Sequence, residues 1–134
     1  MEKEFIPYEQ AVALKELGFD EKCLSCYLYE VETFSWELNY QISNNSIPWI
    51  ISAPIYQQAS RWFREKYNLQ CSINFYSESL GIKKVPNHYE IQIDYLSNNK
   101  WCYFENINNK IYLTYEEAEL ECLKKLIDIQ TNEG

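Results

Sequence analysis

Three glycines, two arginines, one histidine and no long unbroken apolar run set the first limits on this 134-residue chain. So few glycines leave no phosphate-cradling loop, because such loops need several backbone positions without a Cβ. With His88 alone, the cysteines Cys23, Cys26, Cys71, Cys102 and Cys122 lack the second His or second Cys pair that a zinc site uses. The same scarcity argues against a Cys–His nucleophile. The longest apolar stretch, Ile47 to Ile55, is interrupted by Pro48, Ser52 and Pro54 and is too short to cross a bilayer. The opening MEKEFIPYEQ carries charge where a signal peptide carries an apolar core. A protein outside membranes, in the cytoplasm, with reduced thiols is expected. The net charge of −8 disfavours nucleic acid, whose phosphates need a basic surface.

What is present is an ordinary globular balance, 46% hydrophobic and 24% charged, with 16% aromatic residues, among them 12 Tyr and 4 Trp. Asn, Ile, Tyr and Lys are all plentiful, so an AT-rich genome accounts for part of the tyrosine excess. The length suits one domain with one core.

Periodicity orders the chain. Pro7, the apolar positions Ala11, Val12, Leu14 and Leu17, and Gly18 predict a first helix, with Phe19 folding back onto it. Cys23–Val31 and the alternating Phe34–Ile42 predict a hairpin, turning at Glu32-Thr33. A polar loop at Asn44–Ser46 leads to a second helix, with Ser52 as its N-cap. Ile55, Ala59, Trp62, Phe63 and Tyr67 form that helix's stripe, and Asn68 ends it. Cys71–Tyr76, Tyr89–Tyr95, Trp101–Glu105 and Lys110–Leu113 then predict four strands, with the longest loop at Ser77–Asn87 and a turn at Ser97-Asn98-Asn99. Thr114 with Glu117 is a capping box for a last helix, in which Glu121 and Lys125 form an i,i+4 pair. The expected fold is a single α+β domain spanning 1–134. Its order is α-ββ-α-ββββ-α, an antiparallel sheet with about three helices packed on it.

Three features carry candidate chemistry. Cys23-Leu24-Ser25-Cys26 has CxxC spacing, but on a strand its two thiols point to opposite faces. The many carboxylates lie on faces where charge serves solubility. The third is the pair Arg61 and Arg64 on the second helix beside Tyr56, Trp62 and Tyr67. Guanidinium groups take phosphate or carboxylate in bidentate fashion and aromatic rings stack on bases, so these five residues are a candidate site for a small anionic, nucleotide-like ligand. Against it stands a plain solvated helix face, with Arg61 paired to Glu65 or Gln57. An acidic, Tyr-rich exterior also suits an inhibitor that occupies a basic groove on another protein. Neither reading calls for catalysis, a metal or a cofactor, and a homodimer over the aromatic sheet face stays open.

The strings YEQAVALKELGFDEKC, APIYQQASRWFREKY and TYEEAELECLKKLI, about a third of the chain, resemble a family of short uncharacterised proteins of Bacteroidetes-type bacteria, their prophages and phages. The resemblance implies a phage accessory protein, of a kind that counters host defences by stoichiometric binding, and assigns no residue a role. The stretch from Gln70 to Leu113 matches least.

Overall fold

The structure is a computed structural model, and it describes residues 2–28, 34–36, 43–44, 49–77, 86–103 and 110–133. After a single 3-10 turn, Glu2–Glu4, the first α-helix runs Tyr8–Glu16 (α1). Pro7 stands at its N-cap with φ −65°, where a missing N–H costs nothing, and its carbonyl accepts the first helical bond from Ala11 at 2.9 Å. Gly18 closes the helix at φ +97°. The Gly18 N–H reaches Lys15 O at 3.0 Å and the Phe19 N–H reaches Leu14 O at 2.9 Å, which satisfies the last carbonyls and turns the Phe19 ring into the core.

Two three-stranded antiparallel sheets follow. In the first, Ser25–Leu28 (β1) lies between Phe34–Trp36 (β2) and Ile50–Ser52 (β3). The expected strand Phe34–Ile42 is present over 34–36; its remainder and the Glu32-Thr33 turn lie outside the described residues. Ser52 does not cap a helix. It is a buried strand residue opposite Cys26, and Ala53, Pro54 and Ile55 separate it from the second helix, Tyr56–Tyr67 (α2). That helix turns Ala59, Trp62 and Phe63 inward, as its stripe requires, and ends at Asn68 in the left-handed region, φ 55°.

The second sheet has the order β4-β5-β6, with Leu69–Tyr76 (β4) paired to His88–Ser97 (β5) over eight residues, and β5 paired to Lys100–Tyr103 (β6). Asn98 and Asn99 join the last two strands at φ 51° and 63°, the two positive values a tight hairpin needs and Asn tolerates. Lys110–Leu113 contributes one bridge, Tyr112 to Tyr89, in place of the expected strand. Most of the Ser77–Asn87 loop lies outside the described residues. The last helix, Tyr115–Glu133 (α3), starts as its sequence predicts, with the Glu117 N–H donating to Thr114 Oγ1 at 3.2 Å. Glu121 pairs with Lys124, at 3.7 Å, and not with Lys125.

The domain is α+β, and its strands divide between two sheets where the sequence suggested one. The three helices share a core that draws Leu14 from α1, Phe63 from α2 and Leu126 from α3 together with Ile51 of the first sheet and Ile93 of the second. Each is fully buried. A disulfide, Cys71 Sγ to Cys122 Sγ at 2.07 Å, ties β4 to α3, which corrects the reading of five reduced thiols; Cys23, Cys26 and Cys102 are free. No helix among the described residues is long and apolar enough to cross a membrane.

Candidate functional site

The five residues singled out from the sequence separate in three dimensions. Trp62 is 5% exposed, with its ring edge-on to Phe19, Phe63 and Tyr67 and the Lys66 ammonium 5.0 Å from its centroid. Tyr67 joins that cluster and donates its hydroxyl proton to Leu17 O at 3.2 Å. Both residues tie α2 to the chain just after α1, at Leu17 and Phe19. Arg61 points away, 3.7 Å from Glu21, in the neighbourhood where Gln58 Nε2 also bonds Glu21 and the Lys22 carbonyl. Only Tyr56 and Arg64 reach a common cavity.

Three cavities, of about 550, 370 and 270 Å³, each have Tyr56 and Glu119 in their walls. The largest runs between the N-terminal segment (Lys3, Phe5), Tyr27 of β1, Tyr56 at the start of α2, and Glu116, Glu117 and Glu119 on the first turns of α3. The smallest adds Glu4 and Leu24 on the side of the N-terminal turn. The intermediate one opens toward β4 and holds Gln57, Ser60, Arg64 and Tyr115. Each wall is fixed locally. An antiparallel bridge from Phe5 to Ile55, with the Ile6 N–H on Pro54 O at 3.0 Å, places the N-terminal segment across the start of α2. Tyr27 donates its hydroxyl proton to Ile6 O at 2.9 Å and sets its ring between Tyr8 and Phe34.

The groove is acidic. Glu116 and Glu117 sit in the first turn of α3, where the helix dipole favours negative charge. Glu119 has no such support: it makes no hydrogen bond or ion pair among the described residues. Partial burial, then the nearby carboxylates of Glu4 and Glu116, push its carboxyl above the usual range. Burial, followed by Glu119 and Tyr27, pushes the Tyr56 phenol up to about 12. Tyr115 rises in the same way, through burial and then Glu119. Burial leads each of these shifts and neighbouring carboxylates add to it, at an aromatic-walled cleft in which Lys3 is the one cation among the described residues of the largest cavity's wall.

Arg64 shares its cavity with Glu119, so an anion there meets a carboxylate as well as a guanidinium. Cys23 and Cys26 face different packing groups, the main core and Ile50. Burial above all, with Glu21 and Cys26 adding to it, lifts the Cys23 thiol to about 12, the reverse of what thiolate chemistry needs. Sequence reasoning missed Glu119, because Phe5, Tyr27 and Tyr56, which face it across the largest cavity, lie more than 60 residues away in the chain. It also missed Asn44, set aside as loop. The Asn44 amide donates to Phe19 O and accepts from the Ser52 N–H, both at 2.8 Å, and is buried while doing so.

The chain matches no protein-family model, no curated protein and no solved structure.

Proposed function

We propose that the protein is a non-catalytic binding protein that holds a basic segment of a partner protein in the groove around Tyr56 and Glu119. The observation that carries this reading is Glu119 itself: a partly buried carboxylate with no hydrogen-bond or ion-pair partner among the described residues, crowded by Glu4 and Glu116. A lysine or arginine side chain seated there neutralises that repulsion and lays its charge against the rings of Phe5, Tyr27 and Tyr56. The net charge of −8 adds long-range attraction for a basic partner. The resemblance to phage and prophage proteins supports a setting in a bacterial cytoplasm, with a host defence protein as the partner and stoichiometric capture as the mode of action. The Cys71–Cys122 disulfide runs against a compartment that keeps thiols reduced, but neither cysteine lines the largest cavity, so the groove does not depend on that bond.

The second reading, a small nucleotide-like anion, draws support from Arg64, which meets Tyr56, Gln57 and Ser60 in one cavity. It is the weaker of the two because Arg61 is turned to Glu21 and Glu119 opposes an anion. Calorimetric titration with an arginine-rich peptide and with a nucleoside triphosphate separates them. The peptide is expected to bind, and Glu119→Gln to weaken it about tenfold, which is about 1.4 kcal/mol. Nucleotide binding lost in Arg64→Ala, with no binding of the peptide, overturns the proposal in favour of the second reading.

A further inference from the structure

Beyond the groove, the geometry points to a second copy of this chain as the occupant of the free edge of β4: we infer a two-fold homodimer in which Phe75 of each copy enters the other's 370 Å³ cavity. The backbone gives the first part of the argument. Asn68 O accepts the Leu96 N–H at 3.2 Å, in the register that continues as Leu69 to Tyr95 and Gln70 to Asp94. Antiparallel pairs alternate between hydrogen-bonded and non-bonded positions, so Gln70, Ser72, Asn74 and Tyr76 aim their peptide groups at β5. Leu69, Cys71, Ile73 and Phe75 therefore aim theirs outward. Among the described residues no strand lies on that side.

Edge strands are ordinarily guarded by charge, proline or a bulge. β4, LQCSINFY, has no charged residue and no proline, and pairs with β5 in unbroken one-to-one register. It is also the longest edge strand described, against three or four residues for β2, β3 and β6. On a molecule of charge −8, the strand itself offers a like-charged copy an uncharged approach, beside a cavity whose wall holds both Arg64 and Glu119.

The side chains say which occupant fits. Cys71, Ile73 and Phe75 share one face of the strand, by its two-residue period. Cys71 and Ile73 line the 370 Å³ cavity with Arg64 and Ser60, whereas Phe75 stands 56% exposed, touched on one side by Tyr89 with ring centroids 5.2 Å apart. A two-fold axis through Ile73 sets each Ile73 opposite its counterpart and each Phe75 opposite Cys71 of the second copy, at the mouth of that cavity. Knob and hole lie four residues apart on the same strand, so one axis fills both at once, as an isologous contact requires. An unrelated peptide added at this edge has no reason to carry an aromatic residue at that spacing.

Sedimentation equilibrium of the full chain across a concentration series, with amide hydrogen exchange at its two ends, tests this. A monomer–dimer equilibrium is expected, strengthening as salt is raised because the two copies carry like charge. At dimeric concentrations the amides of Leu69, Cys71, Ile73 and Phe75 gain protection, while those of Gln70, Ser72, Asn74 and Tyr76 are protected throughout. Phe75→Lys, at an exposed position, keeps the circular dichroism of the wild type and is monomeric. A wild-type chain that stays monomeric, a Phe75→Lys variant that dimerises as well as the wild type, or outward amides that exchange freely in the dimer each overturn the inference. The 370 Å³ cavity shares Tyr56 and Glu119 with the groove, so the basic peptide is titrated at monomeric concentrations, where either proposal can fail while the other stands.

Discussion

Glu119 illustrates how one residue ties the groove to the stability of the fold. Its carboxyl is raised by burial and by Glu4 and Glu116, so the folded chain holds that proton more tightly than the unfolded chain does. Folding stability linked to this group therefore rises as pH falls toward the ordinary carboxyl value of 4.5, and the ionised form costs stability at neutral pH. Glu119→Gln is expected to raise the midpoint of urea unfolding at pH 7 and to lose that advantage near pH 4, the same substitution that weakens peptide binding. His88 acts in the same sense, over a higher pH range. Its ring nitrogens sit 2.8 Å from Pro86 O and from the Glu90 carboxylate, both acceptors, and its face stacks on Tyr76. The Pro86 carbonyl first, and Glu90 second, raise its pKa above the usual 6.5. Stability from this group is full below 6.5 and fades as pH rises through the raised folded value. The advantage of wild type over His88→Gln, measured by urea unfolding from pH 5 to pH 9, is expected to shrink along that series. At this scale the sequence was only partly legible. Trp62 and Phe63 announced themselves as core by helical spacing. Asn44 read as loop because burial of an amide depends on carbonyl and N–H partners, Phe19 O and the Ser52 N–H, that no local pattern displays.

Elements were legible where a periodic pattern had a chemical stop beside it. α1 is bracketed by Pro7 and Gly18, α2 ends at Asn68, and α3 begins at Thr114 with its capping bond to Glu117. β3 escaped because Ile50–Ser52 is a short apolar run ahead of a proline, and such a run fits a strand and a helix start equally well. Its strand identity comes from pairing with β1, a partner more than 20 residues earlier. The division into two sheets has the same origin, since alternation marks strands and says nothing of which strands meet. The inward and outward faces of α2 make a direct comparison. Phe63 is fully buried between Trp62 and Tyr67, so Phe63→Ala is expected to cost about 3–5 kcal/mol in urea unfolding. Arg61, with its side chain 52% exposed at 3.7 Å from Glu21, is expected to cost within about 0.5 kcal/mol when changed to Ala. A large loss at Arg61 would contradict the placement of that face toward solvent.

Across the whole molecule, an acidic groove and an uncharged strand edge adjoin, and the 370 Å³ cavity, with Tyr56, Glu119 and Ile73 in its wall, borders both. The groove gathers Lys3, Tyr27, Tyr56 and Glu119 from four distant parts of the chain, which is why the sequence pointed to the arginines, two neighbours on one helix, and not to the carboxylates. The β4 edge itself carries no charge. Salt distinguishes the two: screening weakens attraction between the acidic groove and a basic partner, and relieves repulsion between two copies of charge −8. The central claim is that Glu119 and its neighbours hold a cation. Its most direct test is calorimetric titration of an arginine-rich peptide into wild type and Glu119→Gln, each at low and at high salt. The expected result is saturable binding to wild type that falls steeply with salt, is about tenfold weaker in Glu119→Gln, and loses part of its salt dependence there. Absence of binding, or affinity and salt slope that are the same in both proteins, would contradict it.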